Sequence, residues 1–233
     1  MRLMDRDKEL MVFLARYRFA TYDQMAFALD INRDSLRRRL RKLHAQKLVE
    51  QHEVIVTPMK IWQVTADAVE FLGADRRAPL DMKPSTVTHT LGLTDLGIFF
   101  EKHGETVVTE TEILIGDRTS KNMAALQYQA DHGRPGPVRA APSHTPDLIL
   151  MPNFSGRARR AAIELELSRK PPRKLKQILA LYRDADDVDV VVYYTDQPTV
   201  WRLIERAAAA VGATDKVMLR AWAPDARSGL TAR

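Results

Sequence analysis

Glu164 and Glu166 place two carboxylates two positions apart inside the apolar run Ile163-Glu164-Leu165-Glu166-Leu167-Ser168. In an extended strand successive side chains alternate between faces, so Glu164, Glu166 and Ser168 share one face while Ile163, Leu165 and Leu167 fill the other. Like charges held side by side in apolar surroundings are costly unless a cation or a raised pKa relieves them. An oxygen-only donor set suits a hard ion such as Mg²⁺. Asp147, at the start of the preceding apolar run, completes an expected ligand set of Asp147, Glu164 and Glu166. Lys170 has the parity of the two glutamates, and its ammonium reaches the same edge if the strand runs on to Pro171. The same glutamates on a water-facing edge strand would do no chemistry, and the sequence alone leaves both arrangements open.

The surrounding pattern supplies the elements that would hold these residues. Thr86 to Lys102 has a broad apolar surface (Val87, Leu91, Leu93, Leu96, Ile98, Phe99, Phe100) and predicts a buried helix. His89 lies within it, either as a neighbour of the acids or as a core histidine. Thr106 to Ile115 predicts a strand, and Asp117 to Ser143 a long polar segment with Gly133, Pro135, Gly136 and Pro137. Pro146 to Pro152 and Arg160 to Ser168 predict two strands around an Asn153-Phe154-Ser155-Gly156 turn. Lys174 to Asp184 predicts a helix opened by Pro171-Pro172, Val188 to Tyr194 a buried strand, Thr199 to Val211 a helix and Val217 to Trp222 a final strand.

The first third carries a different chemistry. Asp5 and Asp7 open a first helix, favourably placed against its dipole, with Leu10, Val12, Phe13, Leu14 and Tyr17 at helical spacing. Thr21 and Gln24 form a capping box for a short second helix, and Asn32 caps a third. Leu36, Leu40 and Leu43 back that third helix along one face. From Arg33 to Lys47 there are seven basic residues and one acid. Arg33, Ser35, Arg37 and Arg38 are the expected readers of base edges. Arg41 and Lys42 are the expected phosphate partners, and Arg39 sits nearer the core flank. Leu48 to Val64 predicts a hairpin around Pro58, with Lys60 beside its tip, and Thr65 to Gly73 a fourth helix closed by glycine.

Composition bounds the function. The 233 residues fit two domains: 1–75, a linker at 76–84, and 85–233. There is no cysteine, which excludes disulfides and Cys-ligated zinc. No apolar stretch approaches the roughly 18–20 residues of a membrane span, and Met1 to Asp7 does not read as a signal peptide, so a cytoplasmic protein is expected. The formal charge of +6 suits a polyanionic partner. No Gly-rich phosphate loop is present, and no small-molecule cofactor is expected.

The order helix, helix, basic helix, hairpin, helix resembles the winged helix-turn-helix domains of bacterial regulators and plasmid proteins over about residues 5–75. Asp147 after Pro146, then Glu164-Leu165-Glu166 and Lys170, within helix–strand–strand–strand–helix–strand, resembles the restriction-endonuclease-like superfamily. That superfamily has a lysine where Glu166 stands, and Lys170 is displaced by four positions. With His144-Thr145-Pro146-Asp147 added, residues 5–222 resemble the replication-relaxation family of plasmids and integrative elements, some of whose members are relaxases. The resemblance implies an α+β winged helix followed by an α/β restriction-endonuclease-like domain. It also implies catalytic roles for Asp147, Glu164, Glu166 and Lys170. The acids would hold the ion, the ion would activate a nucleophile, and Lys170 would support charge on the phosphate.

Two functions follow as expectations. A binding module would recognise an operator or origin in double-stranded DNA, with the second domain serving homodimerisation or the recruitment of partners. A metal-dependent nicking enzyme would process that DNA.

Overall fold

Three polar side chains fix where helices begin in the N-terminal part of the chain, and all three are legible in the sequence. The computed structural model describes residues 3–54, 59–73, 83–117, 144–151 and 160–224. Within it α1 spans Asp5–Tyr17, β1 Phe19–Thr21, α2 Tyr22–Ala28, α3 Arg33–Ala45, β2 Val49–Val54, β3 Met59–Val64 and α4 Ala66–Phe71. Thr21 Oγ1 accepts from the Gln24 amide at 3.2 Å, and Gln24 Oε1 accepts from the Thr21 amide at 3.0 Å. Asn32 accepts from the Asp34 amide at 2.9 Å, and Thr65 from the Ala68 amide at 3.2 Å. Each cap satisfies a helix N–H that has no intrahelical partner.

Leu36, Leu40 and Leu43 are buried, as their spacing predicts, and pack with Leu10, Leu14 and Met25. β1, β3 and β2 form an antiparallel sheet in that order. The sequence pattern does not announce β1, because three buried residues are too few to show an alternation. Residues 55–58, the expected hairpin tip, lie outside the described residues.

The second part begins with α5, Pro84–Lys102, whose Pro84 occupies the first turn where no N–H is needed. β4 (Thr106–Thr109), helix α6 (residues 110–117), β5 (Leu148–Met151), β6 (Ala161–Leu165), α7 (Pro172–Asp184), β7 (Val190–Thr195), α8 (Pro198–Val211) and β8 (Val217–Ala221) follow. The five strands lie in the order β4-β5-β6-β7-β8. β5 runs antiparallel to both its neighbours, β4 and β6, whereas β6, β7 and β8 are parallel. Leu93 and Leu96 of α5 cover one face, against Ile163 and Leu165. Leu175, Leu179, Val200 and Ile204 of α7 and α8 cover the other, against Ala162, Val191 and Tyr193.

The strand expected over Thr106 to Ile115 stops at Thr109, and the chain turns helical there. Thr109-Glu110-Thr111-Glu112 alternates polar types like a half-exposed strand, but Thr109 and Glu112 form a capping box. Glu112 Oε2 accepts from the Thr109 amide at 2.8 Å, and the Glu112 amide donates to Thr109 Oγ1 at 3.4 Å. Most of the expected polar segment 117–143 and the turn at 153–156 lie outside the described residues.

Helix α5 serves both cores. Val87 and Leu91 pack on Phe19 and Ile61, and Ile98 joins the α1–α3 cluster. Gln24 Nε2 donates to the Leu91 carbonyl at 3.0 Å and to Asp95 at 2.7 Å. Arg16 donates to Glu101, Glu112 and the Val107 carbonyl at 2.8–2.9 Å. Of the expected linker at 76–84, only residues 83 and 84 are described. Among the described residues no helix is long and apolar enough to cross a membrane.

Candidate functional site

Glu164 sits on β6, the central strand of the five, and is 1% exposed. Glu166, just past the strand end, is 4% exposed. The water-facing edge arrangement is therefore excluded by position. The alternation works as expected from sequence: Ala162 and Glu164 face α7, where Tyr182 meets Glu164, and Ile163 and Leu165 face α5. The strand ends at Leu165 instead of continuing to Ser168, yet Lys170 still ion-pairs with Glu166 across the ensuing turn.

The four acid and lysine positions singled out in the sequence gather around the carboxyl end of β6, each with a protein partner. Asp147 Oδ2 accepts from the Leu165 amide at 2.8 Å and lies 3.3 Å from His89 Nε2. His89 Nε2 is also 2.9 Å from the Leu165 carbonyl. Glu164 Oε1 accepts from Tyr182 and lies 2.8 Å from His144 Nε2. His89 is thus a neighbour of the acids and not an inert core residue.

The electrostatics of the cluster are already balanced. Burial pushes the Asp147 carboxyl up, but His89, the Leu165 amide and Lys170 outweigh it and hold it below the usual carboxylate range. Burial opposes protonation of His89, and the Asp147 carboxylate wins, raising it. For Lys170, burial is likewise outweighed by Glu166, and the ammonium is held above its usual value. Glu164 goes the other way. Its burial and the nearby Asp147 charge raise it despite His144 and Tyr182. The Tyr182 hydroxyl is pushed up by burial and by Glu164, so it stays a donor. Two ion pairs and one acid whose ionisation its burial opposes make a compensated set. Among the described residues no three His, Asp or Glu side chains are grouped so as to hold a metal ion.

The sequence does not foretell the roles of Tyr182 and of His144 beside Glu164. The spacing of Leu175, Ile178, Leu179 and Tyr182 does place that tyrosine on the buried stripe of α7, and a buried hydroxyl needs a partner.

The basic helix divides into tethered and free cations. Arg39 Nη1 lies 2.7 Å from Asp7 Oδ1, and Lys42 Nζ 3.5 Å from Asp7 Oδ2. Asp7 is fully buried. Its burial raises its pKa, but the Met4 amide, Arg39 and Lys42 lower it further, so it stays ionised. Arg33 pairs with Asp23, and its carbonyl accepts from Tyr22. Arg37 is exposed, 3.7 Å from Asp34, which is exposed as well. Arg38 donates to Ser35 at 3.1 Å. Arg41 is exposed and, among the described residues, makes no ion pair. Lys60 of β3 is exposed, 3.5 Å from Glu53.

Solved structures resemble the chain only faintly. A mutant of ZitR from Lactococcus lactis is 20% identical, with 56% of this chain and 77% of that one covered and a TM-score of 0.30. The adhesin competence repressor AdcR of Streptococcus pyogenes is 16% identical, covering 54% and 83%, with a TM-score of 0.29. Likenesses at this level carry no argument about fold or function. No curated protein matches the chain. The family model described as Replication-relaxation matches residues 11–185, more than half of the chain, and the protein belongs to that family.

Proposed function

We propose that this protein binds double-stranded DNA through a winged helix-turn-helix over residues 1–75, at an operator or origin of a plasmid or other mobile element. One observation carries the reading: α3 keeps Arg37, Arg38 and Arg41 exposed on the side away from its buried leucines. A short turn from α2 leads into α3, and the β2–β3 hairpin follows it, as in a helix that enters the major groove with a wing beside it. The exposed arginines are the right chemistry for phosphate oxygens and guanine edges. Ser35, through Arg38, orients one of them. Arg33 and Lys42 reach DNA only by exchanging Asp23 and Asp7 for phosphate, so they are secondary contacts. Lys60 belongs to the wing, and a homodimer would place two such helices on one duplex. The cytoplasm is the setting this reading requires. The test is duplex binding by the parent and by Arg38→Ala/Arg41→Ala over a range of salt.

A second reading, a DNA-nicking enzyme, is favoured by the burial of Glu164 and Glu166 on the central strand and at its end. The succession α5-β4-α6-β5-β6-α7-β7, in which α6 is an addition to the expected order, supports a restriction-endonuclease-like domain over 85–233, with Asp147, Glu164, Glu166 and Lys170 at its site. As arranged, these residues do not fit a resident Mg²⁺, because His89, Lys170, His144 and Tyr182 already occupy the carboxylates. On this reading His89 and Lys170, fixed by their acids, would hold phosphate oxygens. A supercoiled plasmid carrying the cognate site tests it. Nicking by the parent and not by Glu166→Ala supports it, and no nicking with Mg²⁺, Mn²⁺ or chelator rejects it.

A further inference from the structure

A cleft of about 570 Å³ opens at the carboxyl ends of β7 and β8, the end of a parallel sheet at which ligands bind in open α/β proteins. Its walls include Asp196, Gln197, Trp201, Arg202 and Trp222. It lies beside the segment that leaves β6 after Glu166. The Glu166 amide donates to the Tyr194 carbonyl at 2.8 Å, and Gln197 Nε2 donates to the Leu167 carbonyl.

Each wall has a distinct chemistry. Trp222 is a fixed surface, 8% exposed, with its ring wedged beside Gly92 of α5. Trp201 is half-buried, and its Nε1 donates to Glu205 at 2.9 Å, which holds the indole in place. Arg202 is exposed, and its Nε donates to the Pro198 carbonyl at 3.3 Å. Asp196 is the anomaly. Its Oδ1 is shut from water and has no hydrogen-bond partner. With that oxygen sealed, the carboxylate meets a ligand through its other oxygen, to which no hydrogen-bond donor comes from the described residues.

We propose that this cleft binds one unpaired nucleobase of a single DNA strand, stacked on Trp201, with its exocyclic amine donating to Asp196 and its backbone phosphate beside Arg202. Aromatic surfaces take any base by its π-face, which gives affinity without sequence. Asp196 adds a preference. Cytosine and adenine offer an exocyclic amine, whereas thymine presents a lone imino N–H flanked by two carbonyl oxygens that a carboxylate repels. The cleft would seat a strand end beside Lys170 and the acids, opposite in the chain to the duplex-reading helix. The inference rests on the reading of the protein as DNA-binding and extends it to a second, single-strand site.

The experiment is fluorescence anisotropy of labelled octamers, dC8, dA8 and dT8, with the full chain, its Asp196→Asn and Trp201→Ala variants, and unlabelled dCMP as competitor. The parent is expected to bind dC8 and dA8 roughly tenfold tighter than dT8, the size of one hydrogen bond to a charged group. Asp196→Asn, which keeps the side-chain shape, erases that preference, and Trp201→Ala weakens all three octamers by roughly tenfold. Competition by dCMP as strong as by dC8 would make the free nucleotide the ligand and overturn the strand assignment; weak competition supports it. Asp196→Asn with the preference intact, or Trp201→Ala binding like the parent with an unchanged melt, overturns the site. Arg38→Ala/Arg41→Ala separates the two readings. Octamer binding without duplex binding by the parent sinks the α3 reading alone, and duplex binding without octamer binding sinks the cleft alone.

Discussion

Arg39 of α3 reaches back to α1 and places Nη1 2.7 Å from Oδ1 of Asp7, a carboxylate with no exposed surface. The pair fixes the roll of the basic helix on its support. The side of α3 facing α1 is tied down, and the side carrying Arg37, Arg38 and Arg41 is left outward. It also decides which of the cations clustered in the sequence are spare.

Asp7→Asn is therefore expected to lower stability by about 1–3 kcal/mol. Breaking a fully buried pair costs about 3–5 kcal/mol, and the partial exposure of Arg39 and Lys42 reduces that here. The variant also frees Arg39 and Lys42, so duplex binding should become more salt-dependent while the melting temperature falls. A melt like that of the parent would show that the pair fixes nothing.

The same carboxylate gives a pH signature. Asp7 is held below its usual value of 3.8 in the folded protein, so the unfolded chain binds the proton first as pH falls. Its contribution is fully present above about pH 5 and is lost as pH drops through 3.8 toward the lower folded value. Denaturant titrations of the parent and Asp7→Asn should converge in that window. Curves that stay parallel from about pH 6 to about pH 3 contradict the assignment.

Glu164→Gln is expected to stabilise the protein by about 1–2 kcal/mol near neutral pH. Burial and the Asp147 charge raise its pKa, so ionisation of this carboxyl costs stability, and glutamine keeps the shape and an acceptor for Tyr182 without the desolvated charge. Thermal melts with and without Mg²⁺ check this. A large loss of stability in Glu164→Gln, or a Mg²⁺-dependent rise in the parent, would mean that the ionised form is required.

Gly97→Ala should separate the two parts of the chain. A Cβ there would run into the Tyr17 hydroxyl oxygen and stand 2.5 Å from its ring, closer than side chains pack. Overpacking of this kind costs about 1–3 kcal/mol. The expected result is a lower melting temperature together with faster proteolysis between α4 and α5. An unchanged melt would show that α1 and α5 are not in firm contact.

These contacts mark how far the sequence could be read. Leu36, Leu40 and Leu43 repeat at helical spacing, and Thr21, Asn32 and Thr65 are local caps, so the helices and the outward face of α3 were legible. The alternation of Ile163, Glu164, Leu165 and Glu166 likewise placed the acids. What failed was non-local. Thr109 to Glu112 reads equally as strand or capping box, and only the anchoring of Glu112 by Arg16, far away in the chain, accompanies the helical choice. The partners of the acids, His89, His144 and Tyr182, come from three separate segments, and no spacing rule links them to β6. The tether of Arg39 and Lys42 to Asp7 also joins separate helices, which is why charge alone overcounted the free cations.

The most direct measurement is the salt dependence of duplex binding with the cognate DNA. Removing one phosphate-binding cation reduces the slope of log K against log salt by about 0.9, so Arg38→Ala/Arg41→Ala is expected to bind more weakly with a slope shallower by about two. A double variant that keeps both the affinity and the slope of the parent would contradict the assignment of α3 as the DNA-binding surface.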